Sequence, residues 1–184
     1  CFDSKHVQLL KEVLEEVHPL SSKLKLSMAD KWSVLFKMWN KKEFSKVQFN
    51  MLKEYLLSLD KSDSRKLQMA RLKALEAPVE QLKGLWELAA SKDRKMSHLE
   101  LASLLGGLTR RPELLSHMDK WEEFYGESLL RLINEDEKVN AMTFLRNGRI
   151  NPDNFPHWNH KLQELLSKIE PQNQHFKTEL MKLL

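Results

Sequence analysis

Residues 96–101 read Met96-Ser97-His98-Leu99-Glu100-Leu101, a helix start written out in full. A serine followed three positions later by glutamate can close a capping box. Its hydroxyl takes the amide at the third helical position, and the glutamate reaches back to the serine amide. Two further stretches repeat the arrangement: Phe44-Ser45-Lys46-Val47-Gln48-Phe49 and Ile150-Asn151-Pro152-Asp153-Asn154-Phe155. Each has an apolar residue, a cap, two variable positions, an acid or amide, and an apolar residue. The spacing between the caps is 52 and then 54 residues. Eight residues before each cap's apolar neighbour stand Phe36, Leu88 and Met142, and eight after stand Leu52, Leu104 and Trp158. Leu56, Leu108 and Leu162 extend the match. A period near 50 fits stacked helical hairpins that bury their apolar faces against one another. The plainer account is that any capped helical hairpin produces the same pattern.

The periodicity continues in both directions. Val7, Leu9, Leu10, Val13, Leu14 and Val17 are spaced for one helix face over His6–Val17, with Ser4 as its cap and Pro19 as its end. Ser27 with Asp30 caps a second helix whose stripe is Met28, Trp32, Leu35, Phe36 and Trp39. Ser45 opens a third, with Val47, Phe49, Leu52, Leu56 and Leu59. Helices are expected over Ser64–Leu75 and Pro78–Ala90, then from Ser97 to the pair Gly106-Gly107, which ends that helix. Pro112 opens a seventh, continued by the aromatic face of Trp121, Phe124 and Tyr125. A short apolar stretch follows at Glu127–Ile133. Val139–Arg146, a helix from Pro152 to Ile169, and Asn173–Leu184 complete the chain. The reading is all-α, eight to ten antiparallel helices as stacked hairpins or two fused small bundles. The chain forms one helical domain over 1–184, with sub-bundles expected at about 1–90 and 91–184.

Composition agrees. Five glycines and six prolines in 184 residues are too few for the turns of a sandwich, a barrel or a nucleotide-binding α/β fold. A single cysteine excludes an intramolecular disulfide framework and a cysteine-based zinc module. It also fits a reducing compartment. No apolar run approaches the roughly 20 residues of a membrane span. The chain opens at Cys1, which suggests a fragment of a longer protein, and no targeting segment is in view. The expected location is intracellular, cytoplasmic or nuclear.

The chemistry-bearing residues do not assemble into a catalytic signature. The second junction matches the late positions of a calcium loop, but its early ligand positions hold Ala89, Ser91 and Asp93, and those of the first junction Lys37, Trp39 and Lys41. One loop thus offers two or three oxygen ligands and the other almost none. His157 and His160 share a helix face at a spacing that can hold a metal, without the remaining ligands of any known motif. Glu15-Glu16, Glu122-Glu123 and Glu135-Asp136-Glu137 are adjacent in sequence, so on a helix they diverge by about 100° instead of facing one cleft. Gly106-Gly107 lacks the lysine and serine or threonine of a phosphate loop. No cofactor or metal is expected, and no catalytic residue is named.

What remains is surface. Trp32, Trp39, Trp86, Trp121 and Trp158 lie on apolar stripes, where core packing is the ordinary use. Tryptophan and methionine also line partner-binding grooves. The candidate partner-binding set is therefore Trp32, Trp39, Trp86, Trp121 and Met38, rimmed by Lys41, Lys42 and Lys46. The expected function is a non-catalytic protein-interaction module or scaffold that takes a helix or peptide in an apolar groove. The alternative is an RNA- or polyanion-binding domain using residues 23–73. Residues 1–92 carry 17 Lys and Arg against 12 Asp and Glu, and residues 93–184 carry 13 against 14. Lysine outnumbers arginine 15 to two in the basic half, however, and bidentate phosphate recognition favours arginine.

One family resemblance lies in the same region. His18-Pro19-Leu20, Lys31-Trp32 to Trp39, Lys42-Glu43-Phe44-Ser45, Leu52-Lys53-Glu54-Tyr55-Leu56 and Leu85-Trp86 follow in order. That order resembles the helical domain of the steroid receptor RNA activator family, to which the carboxy-terminal domain of the COPII outer coat is related. It covers residues 18–90 and departs at Leu67-Gln68-Met69-Ala70, where the family carries an Ala and Ile-His signature. The resemblance implies a non-catalytic helical scaffold associated with RNA or nuclear regulators.

Overall fold

The serine caps form as their spacing requires. In a computed structural model, Ser27, Ser45 and Ser97 each accept the amide three residues on, at 3.2 Å. Asp30, Gln48 and Glu100 accept the serine amides in return, at 3.1, 3.0 and 2.8 Å. Hydrogen bonds from the Ser27 hydroxyl and amide hold the Asp30 carboxyl below its ordinary value, and those from the Ser97 amide and hydroxyl do the same for Glu100. The structure describes residues 4–16, 23, 25–39, 45–91, 95–111, 113, 121–135, 138–148 and 158–182. The third junction, Ile150–Phe155, lies outside them, as does the helix expected to open at Pro112.

The fold is all-α. Among the described residues ten α-helices follow in order: α1 (Ser4–Leu14), α2 (Met28–Met38), α3 (Lys46–Leu59), α4 (Arg65–Glu76) and α5 (Val79–Ala90). Then come α6 (His98–Leu108), α7 (Trp121–Asn134), α8 (Lys138–Asn147), α9 (Trp158–Lys168), a 3-10 turn at Pro171–Asn173, and α10 (Gln174–Met181). The aromatic stretch at Trp121 and the apolar stretch at Glu127–Ile133 are one helix, because Gly126 is tolerated inside it.

The chain divides into two compact units between Arg65 and Lys66, not near residue 90. In the first unit α2 packs against α1 and α3. Leu14, Trp32, Leu35, Phe36, Phe49, Leu52 and Leu56 are buried. The stripe of α3 is narrower than its apolar content suggests. Phe49, Leu52 and Leu56 are buried, while Val47 and Leu59 are exposed. Val47 precedes Phe49 by two residues, which places it about 200° round the helix.

The second unit claims α4 and α5, which explains the boundary. Trp86 on α5 stands in a cluster with Tyr125 and Phe144: Trp86 meets Phe144 edge-on at 4.8 Å, and Tyr125 stacks on Phe144 at 5.4 Å. Leu101, Leu104, Leu105 and Leu108 of α6, with Leu129, Leu132 and Ile133 of α7, extend this core. The repeat of about 50 residues holds only in part. Both described junctions carry the cap and the buried leucines, but Phe36 is buried and its counterpart Leu88 is exposed.

Gly106 and Gly107 do not end α6; both lie within its last turn. Gly107 is there because α4 crosses over it. A Cβ at Gly107 would stand 2.6 Å from the Arg71 carbonyl oxygen and 2.7 Å from the Ala74 Cβ. Gly84 on α5 has open space around it. The two glycines therefore answer oppositely to alanine. Gly84→Ala gains helix propensity and is expected to stabilise by about 0.5–1 kcal/mol. Gly107→Ala gains the same propensity but must push a backbone apart, for a net loss of about 1–2 kcal/mol. Urea unfolding of the two variants beside the parent chain checks both signs.

Candidate partner-binding surface

The structure buries three members of the candidate set. Trp32, Met38 and Trp86 are buried, at 1, 3 and 0% exposure. They are core side chains and leave the set, because their stripes face neighbouring helices. Trp32 donates its indole N–H to Asp60 Oδ2 at 2.9 Å and stacks on Phe36. Trp39 is half-buried, its ring edge-on to Phe49 at 4.3 Å. Lys46 is exposed at the first position of α3. Trp121 lies in α7 within the second unit, and Lys41 and Lys42 lie outside the described residues. His160 is exposed, and His157 lies outside the described residues.

The exposed apolar surface sits elsewhere. On the second unit α6 and α8 pack side by side and leave a groove of about 460 Å³ between them. Leu99 and Ala102 of α6 and Val139 and Met142 of α8 form its apolar lining. Leu99 is 53% and Val139 61% exposed. Each helix carries two apolar faces. On α8 the buried face is Ala141, Phe144 and Leu145; Met142, half-buried, packs at its edge, and Val139 lies off it. The second face of α6 is visible in the sequence as an excess: Leu99 and Ala102 fall outside the stripe of Leu101, Leu104, Leu105 and Leu108. Reading Leu99 as a variable position of a capping motif hid it.

Lys138 and Arg146 lie along the groove, with His98 at the α6 end, and among the described residues its lining holds no carboxylate. Arg146 is 69% exposed and reaches Glu179 of α10 at 3.8 Å. Thr143 and Asn147 turn their side chains to their own helix, bonding the carbonyls of Val139 and Thr143.

A second cleft of about 680 Å³ lies between α5 and α7. Glu87, Glu127 and Glu135 surround Phe124 there, and Arg131 crosses it to bond the Ala90 carbonyl at 2.8 Å.

No protein-family model, curated protein or solved structure matches the chain.

Proposed function

We propose that the protein is a non-catalytic helical module that binds a segment of another protein. The observation that carries the reading is the α6–α8 groove. Isolated apolar residues on a surface need no explanation, but a contiguous set between two helices favours an interface. Leu99 and Val139 of that set are each more than half exposed to solvent. The resemblance of residues 18–90 to a scaffold domain supports the same class of function, although that stretch runs across the boundary at Arg65.

The polyanion reading rests on exposed Lys23, Lys25, Lys37 and Lys46. Two features weaken it. Lys31 is buried and paired with Glu16, and Lys53 is mostly covered beside Glu54. Counted by the observed units, Lys and Arg exceed Asp and Glu by 12 to nine in residues 1–65 and by 18 to 17 in the rest. Among the described residues no helix is long and apolar enough to cross a membrane.

Photo-crosslinking tests the interaction reading. A benzophenone side chain at position 99 or 139 is expected to give a discrete protein adduct that excess unlabelled protein competes away. The same group at Val79, exposed on α5, is expected to give none. The partner recovered must then bind the purified protein directly. Adducts at neither 99 nor 139, or equal labelling from position 79, overturn the reading.

A further inference from the structure

In the first unit an exposed serine holds a buried carboxylate. The turn over 60–64 joins α3 to α4. Asp60 is 1% exposed, while Lys61, Ser62, Asp63 and Arg65 are exposed. Ser62 gives Asp60 Oδ1 two donors, its amide at 2.9 Å and its hydroxyl at 2.5 Å. The other oxygen, Oδ2, takes the indole N–H of Trp32 on α2 at 2.9 Å. One carboxylate therefore ties the end of α3 to the core of α2, and a side chain in solvent completes the tie. Ser27 and Ser97 also donate their hydroxyls to acids, to Asp30 at 2.6 Å and Glu100 at 2.8 Å. Each of those acids sits in the same capping box as its serine, so a change there stays at one helix end. Ser62 acts on two helices at once.

We propose that Ser62 is a phosphorylation site, and that a phosphate there loosens the Asp60–Trp32 tie between α3 and α2. The γ-phosphoryl group of a nucleoside triphosphate passes to Ser62 Oγ. The Oγ–P bond forms, the bond from phosphorus to the β-phosphate oxygen breaks, the hydroxyl proton goes to the base of a kinase, and the diphosphate leaves. The Oγ of phosphoserine carries no hydrogen, so its bond to Asp60 is lost in every rotamer. Turned inward, the phosphate sets a charge of about −1.5 to −2 beside the Asp60 carboxylate, where the two repel. Turned outward to Lys61 and Arg65, it escapes that repulsion but leaves Oδ1 with the Ser62 amide alone. A surface turn outside any helix also opens to an enzyme at less cost than a helix does. This site belongs to the first unit and does not depend on the groove of the second.

The test uses the whole chain and has two arms. In the first, the chain is incubated with ATP, Mg2+ and a serine kinase that prefers basic neighbours, which matches Lys61, Arg65 and Lys66. Mass spectrometry is expected to find phosphate on Ser62. In the second, phosphoserine is placed at position 62 by codon suppression and compared with Ser62→Ala. Both are made again in the Asp60→Asn background. Amide hydrogen exchange at the end of α3 and around Trp32 is expected to be about fivefold faster with phosphoserine than with alanine at low salt. That difference is expected to shrink as salt rises and to vanish in Asp60→Asn, which carries no charge to repel. Exchange in α6 and α8 is expected to stay unchanged. Circular dichroism shows whether each variant keeps its fold. If Asp60→Asn does not, the salt dependence decides the same point.

Absence of phosphate at Ser62, including modification confined to other serines, overturns the site. Exchange that is the same with phosphoserine as with alanine overturns the release, because the hydroxyl alone then accounts for the effect. Slower exchange with phosphoserine also overturns it, since the phosphate then bridges Lys61 and Arg65 and tightens the turn. So does a difference that persists undiminished in Asp60→Asn or at high salt, which places the effect somewhere other than the buried carboxylate.

Discussion

Arg111→Met is expected to destabilise the second unit by about 3–4 kcal/mol and to release the end of α4. Arg111 is 6% exposed, and its Nη1 lies 3.2, 2.8 and 2.6 Å from the carbonyl oxygens of Ala74, Leu75 and Ala77. These are the orphan acceptors at the C-terminus of α4 and in the turn beyond it. A cation there also meets the negative end of the helix dipole. Methionine fills much of the volume but donates nothing. Each buried carbonyl left bare costs about 1–3 kcal/mol, part of which water recovers by entering. The loss is large beside a total stability of about 5–15 kcal/mol. Glu113 reports the same event. A hydrogen bond from Arg111 at 3.0 Å holds its carboxyl below the ordinary value against the desolvation that raises it, and the variant returns it upward. Amide hydrogen exchange is the measurement. Protection at Ala74–Ala77 is expected to fall in Arg111→Met and to recover in part in Arg111→Lys, which restores charge with a single ammonium. Unchanged exchange there, with a loss under 1 kcal/mol, would show that the three bonds contribute little.

The contact of Arg111 with α4 marks what the sequence can and cannot display. Helix starts were legible because a capping box closes within three residues: Ser27 and Asp30, Ser45 and Gln48, Ser97 and Glu100 are visible in any window of four. Three helix ends are closed from far away. Arg111 caps α4 from 34 to 37 residues distant, Arg131 caps α5 from 41, and Asn173 bonds the Ile133 carbonyl of α7 from 40. No local pattern encodes such a bond, since it exists only once the core has placed the two helices. The glycines follow the same logic. Gly107 resembles a terminator in one dimension, and Gly148 does follow the end of α8 at Asn147. In three dimensions Gly107 is a close approach to α4, and Gly148 is both the end of its helix and a close approach to the ring edges of Tyr125 and Trp86.

Three members of the candidate partner-binding set, Trp32, Met38 and Trp86, are core side chains for a related reason. Tryptophan and methionine mark interfaces only when something leaves them uncovered, and the stripe that made Trp32 and Trp86 conspicuous is the stripe that buries them. The informative residues were the apolar ones that the stripes could not absorb. Leu99 and Val139 are excess on helices that already possess a buried face, with Ala102 and the half-buried Met142 beside them. A helix wider in apolar residues than one contact requires is asking for a second contact.

Asp60→Ala is expected to remove about 2–4 kcal/mol from the first unit. Asp60 stands at the C-cap of α3 and is 1% exposed. Its Oδ2 accepts the indole N–H of Trp32 at 2.9 Å, and its Oδ1 accepts the amide of Ser62 at 2.9 Å and the Ser62 hydroxyl at 2.5 Å. Alanine leaves a buried indole N–H and a loop amide without their acceptor. A cycle of Asp60→Ala, Trp32→Phe and the double variant isolates the indole bond, with an expected coupling of about 1–3 kcal/mol. The pH dependence has a defined sign. Desolvation pushes the Asp60 carboxyl up, but the bonds from Ser62 and Trp32 and the charge of Arg65 outweigh it and leave the group below its ordinary value. The unfolded chain then binds the proton first as pH falls, so the stabilisation is complete above about pH 5. It begins to fade near the unfolded value of about 4 and is lost as pH drops through the folded value. Asp60→Asn cannot ionise and has one acceptor oxygen for donors on both sides. The stability difference between the parent chain and Asp60→Asn is therefore expected to stay constant above about pH 5 and to narrow below about pH 4. A difference that stays flat down to pH 2, or one that widens in acid, would mean that the Trp32 and Ser62 bonds do not favour the charged carboxylate.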